Sequence, residues 1–142
     1  MKKLGVLFVG VIVLGVLVGC GNTKTLTCTQ STEEGLTGTV VAKFKNDELV
    51  SGEQKMKMTL TEDMEPYFED FKEMLVSSIG SLGDYEGVDV KTNDNGKNEI
   101  EIVVTFDADK INDEAKSELG FENSTSYDDA KKSLEDEGFV CE

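Results

Sequence analysis

Cysteines and carboxylates are the side chains in this 142-residue chain whose type and spacing invite a chemical reading. Asp107, Asp109, Asn112, Asp113 and Glu114 form the densest group of oxygen donors, and calcium favours such ligands. The spacing of an EF-hand fails, because Ile111 stands where a third ligand belongs and no glycine occupies the sixth position. The ordinary reading is a solvated loop between a strand and a helix, with Asp107, Asp109 and Asp113 as the alternative metal candidates. Asn93-Asp94-Asn95-Gly96 has a similar composition but suits a hairpin turn. Glu33-Glu34 and Glu135-Asp136-Glu137 supply neighbouring acids, yet a glycosidase pair must flank a sugar across a cleft. Histidine, arginine and tryptophan are absent. That removes the commonest general base and metal imidazole, and the planar fork that grips phosphate. No phosphate-cradling glycine loop, serine–base pair or Cys-x-x-Cys is present. The residues therefore favour a protein that is not an enzyme and calls for no cofactor.

Cys20 has a different setting. Lys2 and Lys3 precede an uncharged apolar run, Leu4 to Val18, and Leu17-Val18-Gly19-Cys20 closes it. Fifteen residues are too few for a permanent helical span, which takes roughly 20, and suit the apolar core of a signal segment. Gly19 leaves room for a peptidase before Cys20. The pattern resembles the lipobox of bacterial lipoproteins, in which the cysteine carries a diacylglycerol and becomes the new N-terminus. This implies a signal peptide over 1–19, a lipidated tether over 20–24 and a single domain over 25–142, anchored to the cell membrane on its extracytoplasmic side. Two acyl chains suffice for stable attachment, each buried methylene adding about 0.8 kcal/mol.

That compartment permits disulfides. With Cys20 acylated, Cys28 and Cys141 are left as a pair at the two ends of the domain. A bridge between them closes a long loop and is worth about 4–5 kcal/mol on the chain-entropy account. Loss of residues 1–19 removes Lys2 and Lys3 and no acid, taking the formal charge from −15 to −17. Such a surface repels nucleic acid and anionic lipid, so the membrane partnership falls to the acyl anchor.

Hydrophobic period sets out the elements that must position these residues. Leu26 to Gln30 reads as a short strand. Val40, Ala42 and Phe44 share one face of a second, Thr37 to Lys45, and Asn46-Asp47 makes a tight turn into a third, Glu48 to Thr61. There Met56, Met58 and Leu60 alternate with Lys55, Lys57 and Thr59. The period then changes: Met64, Phe68, Phe71, Leu75, Ile79 and Leu82 predict a helix over Glu62 to Leu82, with Pro66 in its opening turn. Met64, Tyr67, Phe68, Phe71 and Met74 are expected in the core. Val88 to Lys91 and Glu99 to Phe106 follow as paired strands, then a short helix or irregular stretch to Leu119. Ser126 caps a last helix lined by Tyr127, Ala130 and Leu134, which Gly138 ends with Phe139 folding back. The sum is an α+β domain: a single antiparallel sheet of four to five strands, with a long amphipathic helix and a C-terminal helix on one face. Lys43, Lys45, Lys55, Lys57, Glu99 and Glu101 belong to the open face.

With these residues placed, the chain resembles the YehR-like group of small bacterial lipoproteins, a domain family of unknown function. The likeness runs through Cys20, Val41-Ala42-Lys43-Phe44-Lys45-Asn46-Asp47-Glu48-Leu49, the aromatic helix after Pro66-Tyr67, and Val103-Val104-Thr105-Phe106-Asp107. It ends in Ala130-Lys131-Lys132-Ser133-Leu134-Glu135-Asp136-Glu137-Gly138-Phe139. It implies an α+β fold and an envelope location, and brings no catalytic residue with it. The expected function is a membrane-anchored envelope lipoprotein whose domain binds an envelope protein or small ligand without chemistry. The alternatives are a carboxylate- or metal-dependent cell-wall enzyme and a solute-binding accessory of a transporter.

Overall fold

The computed structural model describes residues 22–32, 35–94, 96, 98–122 and 126–142. Cys20 with the apolar run before it, Glu33-Glu34 and Asn95 lie outside the described residues. Six strands form one antiparallel sheet in the order β4-β5-β3-β2-β1-β6. They are β1 (Thr23–Ser31), β2 (Leu36–Lys45), β3 (Glu48–Thr59), β4 (Val88–Asp94), β5 (Glu99–Asp107) and β6 (Val140–Cys141). Among the described residues three α-helices accompany them: α1 (Phe68–Gly80), α2 (Asp113–Glu118) and α3 (Tyr127–Asp136).

The strand periods translate directly into faces. Leu26 and Cys28 of β1, Val40, Ala42 and Phe44 of β2, and Ile100, Ile102, Val104 and Phe106 of β5 are all buried on the inner face. Each large apolar side chain so buried contributes about 1.5–3 kcal/mol. Lys43, Lys45, Lys55, Lys57, Glu99 and Glu101 point the other way, where Lys57 pairs with Glu99 at 3.1 Å. Asn46 and Asp47 both have positive φ, at 51° and 66°, so the β2–β3 connection is the two-residue turn whose twist matches the strands. Ala42, Gly52 and Phe106 lie side by side across β2, β3 and β5. A Cβ on Gly52 would run into the Phe106 ring, so glycine at this position is what lets the phenylalanine lie flat on the sheet.

Three expectations change. The sheet has six strands rather than four or five. The extra one, β6, is two residues long and pairs Cys141 with Cys28 and Val140 with Thr29 at the β1 edge. Two residues carry no period, so nothing in the hydrophobic pattern announces them. Cys28 and Cys141 are joined as a disulfide across that pairing. The expected helix over Glu62 to Leu82 is α-helical only from Phe68 to Gly80, flanked by 3₁₀ turns at Glu62–Tyr67 and Ser81–Asp84. Pro66 cannot donate a hydrogen bond and restricts its predecessor, so regular i to i−4 bonding starts beyond it. Finally, the aromatic and methionine set on this helix is only partly core. Phe68 is buried and Phe71 half-buried, but Met64, Tyr67 and Met74 are exposed. The helix rides against the edge strand β4, and its apolar sector is wider than the surface it covers.

Candidate functional site

Helices α2 and α3 end in the same way. Glu137 closes α3, Gly138 follows at φ +95°, and Gly138 N–H and Phe139 N–H donate to the carbonyls of Glu135 and Leu134 at 3.0 Å each. Leu119 closes α2, Gly120 follows at φ +78°, and the N–H groups of Gly120 and Phe121 donate to Ser117 and Lys116 at 3.0 and 2.8 Å. Both are Schellman caps, and in both the residue after the glycine is a phenylalanine turned back onto the fold. Phe121 packs on Phe106 with ring centroids 5.1 Å apart, and a Cβ at Gly38 would touch the Phe139 ring.

Two glutamines on the inner face hold these caps in place. Gln54 Nε2 of β3 donates to the Leu119 carbonyl at 2.7 Å, and Gln30 Nε2 of β1 donates to the Glu137 carbonyl at 3.1 Å. Each thereby satisfies a carbonyl that the helix end leaves open. The N-termini are capped as well: Asn112 accepts from Ala115 N–H at 2.8 Å, and Ser126 accepts from Asp129 N–H at 3.2 Å.

Between these elements the inner face is left open. α1 packs chiefly against β4, and α3 against β1 and β6, at opposite sides of the sheet. In between lies a cleft of about 330 Å³. Val40, Gln54, Met56, Ile102 and Val104 form its floor; Ile79 and Leu82 wall one side and Leu134 and Phe139 the other. Leu119, Gly120 and Phe121 close it over β5. Its volume falls at the small end of ligand pockets and its lining is predominantly apolar. Among the described residues no buried polar side-chain atom lacks a partner. Chemically, the arrangement can take up an apolar group and exclude water around it.

No family model matches the chain, and no curated protein matches it. Among solved structures, the NMR structure of the Escherichia coli YehR protein superimposes with a TM-score of 0.68 at 11% identity, over 87% of this chain and 93% of that one. The NMR structure of a protein from Streptococcus pneumoniae TIGR4 gives a TM-score of 0.61 at 17% identity, over 87% of each. This is a YehR-like fold. At such identities the likeness concerns the path of the backbone. The cleft rests on this chain's own side chains.

The residues singled out by type scatter over that fold. Asp107 accepts from Asp109 N–H at 3.1 Å and pairs with Lys110 at 3.5 Å, while Asp113 pairs with Lys116 at 3.8 Å. Each serves a local partner, and among the described residues no three of histidine, cysteine, aspartate and glutamate gather around a point that could hold a metal ion. Among the described residues, Lys72 and Tyr85 titrate away from their ordinary values, both outside the cleft. A hydrogen bond from Lys72 to Asp94 raises the lysine, opposed by desolvation and helped by the charges of Asp94 and Glu69. Burial raises Tyr85, helped by the charges of Glu114 and Glu118 and a hydrogen bond with Glu114. The cleft residues escape a reading by residue type, since glutamine and phenylalanine advertise no chemistry. One signal was available: Leu119-Gly120-Phe121 repeats the order of Glu137-Gly138-Phe139, a helix end, a glycine and an aromatic.

Proposed function

We propose that the chain is a cell-envelope lipoprotein, tied to a bacterial membrane through Cys20, whose YehR-like domain binds an apolar group without chemistry. The observation that carries the binding half is the apolar cleft between α1 and α3, preorganised by two glutamine-held Schellman caps. What favours binding over a carboxylate- or metal-dependent reaction is that the acids near Asp107 are engaged locally and lie away from the cleft. The lipobox residues Leu17-Val18-Gly19-Cys20 support the anchor, and the Cys28–Cys141 disulfide fits an extracytoplasmic location.

The binding half is tested with 1-hexanol on the mature chain, followed by methyl NMR. Ile79, Leu119 and Leu134 should shift while Val41 and Val103 of the outer face stay still, and Met56→Trp should abolish the shifts by filling the cleft. Uniform shifts on both faces would refute a built site. The anchor half is read in cells: Cys20→Ala should block processing of the precursor and release the domain from lipid modification.

A further inference from the structure

We infer that the occupant of this cleft is a protein segment that is apolar and basic, docking from the pole of the domain opposite the lipid anchor. This rests on the lipoprotein reading and on the binding role of the cleft given above.

The first observation is a helix face that nothing in the domain covers. Phe68, Leu75 and Ile79 of α1 belong to the core. Tyr67 and Met74, seven residues apart, are 60% and 58% exposed and lie on one shoulder of the helix with half-buried Phe71. Met64 in the preceding turn is 43% exposed. The direction of that shoulder follows from its opposite side. Lys72 pairs with Asp94 of β4, and Val76 shares a recess with Val88 and Val90 of β4. At 100° per residue, Phe71 and Met74 are then turned away from the side of α1 that meets β4. Ile79 and Leu82, further along the same helical segment, wall the cleft, so an apolar stripe of a partner seated there can run on along the shoulder.

Charge selects among partners. Glu62, Asp63 and Glu65 flank Met64, and Glu69, Asp70 and Glu73 occupy the exposed back of α1. Glu135, Asp136 and Glu137 end α3 on the other bank. Of the lysines on these two helices, Lys72 is engaged with Asp94 and Glu69 and Lys131 with Glu135, while Lys132 is exposed two residues before Leu134, on the side of α3 turned from the cleft. An apolar track with acidic banks favours lysine- or arginine-flanked apolar residues and repels acidic peptides and anionic lipid.

Position excludes the anchoring membrane as the source. Cys20 stands three residues before Thr23, where β1 begins, and three residues reach at most about 10 Å. Gln30, at the cleft, lies seven residues further along β1, roughly 23 Å from Thr23. On the lipoprotein reading the cleft lies at the end of β1 remote from the anchor, so its occupant comes from the far side.

The test uses the mature lipidated chain in phosphatidylcholine nanodiscs, with empty nanodiscs as the blank. The probe is a fluorescent nine-residue peptide with three leucines at helical spacing and lysines at both ends. It should bind, and its counterpart with glutamates for lysines should not. The double variant Tyr67→Gln/Met74→Gln, which leaves the charge unchanged, should weaken binding at least tenfold. Equal binding by that variant, or by the glutamate peptide, overturns the inference. If the double variant does not fold, Asp70→Lys at an exposed site replaces it, with a severalfold loss expected and no loss counting against. Hexanol-induced shifts at Ile79 and Leu134 without peptide binding would sink this inference and leave the binding role intact; absence of both would sink both.

Discussion

Single residues decide how closely the layers meet. Gly52 faces the Phe106 ring, which is buried. Gly52→Ala should therefore cost about 1–3 kcal/mol through overpacking, seen as a lower urea midpoint with an unchanged slope. Gln54 matters in the opposite way, by what it satisfies. Gln54→Leu removes the donor to the Leu119 carbonyl, with an expected loss of about 1–3 kcal/mol and a change at Phe121 in aromatic NMR signals. The disulfide is the largest single contribution at this scale. Cys28→Ser/Cys141→Ser should lower stability by about 4–5 kcal/mol in chemical denaturation and free β6 together with the adjoining end of α3.

Elements depend on their ends. α2 has six residues, too few to persist alone, and is held by the Asn112 cap, the Gly120 cap and burial of Ala115. Asn112→Ala should cost about 1 kcal/mol and loosen the cleft wall formed by Leu119 and Phe121. α1 is tied to β4 through Lys72 and Asp94, and this gives the fold an alkaline limit. Lys72 and Tyr85 both hold their protons more tightly folded than unfolded. The stabilisation is complete below their ordinary values and drains away as pH rises through the raised ones. Denaturation midpoints should thus fall above about pH 10, and Lys72→Met should flatten part of that fall.

At the scale of the whole molecule, the sheet separates two poles. Lys24 and Lys45 lie at the end where β1 begins, and Lys57 lies near the other end of β3. In nanodiscs, acylation by a water-soluble ester should slow at Lys24 and Lys45 relative to Lys57, and the bias should vanish in a Cys20→Ser chain. Equal protection at all three would refute the orientation.

Much of this was legible in the chain because period reports which side chains face a common surface. β2 and β3 show alternation on both sides of Asn46-Asp47, so strand, turn and register follow locally. Ser126 and Gly138 likewise mark the ends of α3 within a few residues. What period could not say is which part of an apolar face finds a partner. Tyr67 and Met74 look like core by spacing and lie exposed, because coverage depends on where α1 sits relative to β4. The cleft has the same origin. Gln30, Gln54, Phe121 and Phe139 stand far apart along the chain, and each is unremarkable by type. Only the folding of both helix ends onto one sheet brings them to a shared wall, since a cavity is a property of the space between elements and not of any stretch of residues.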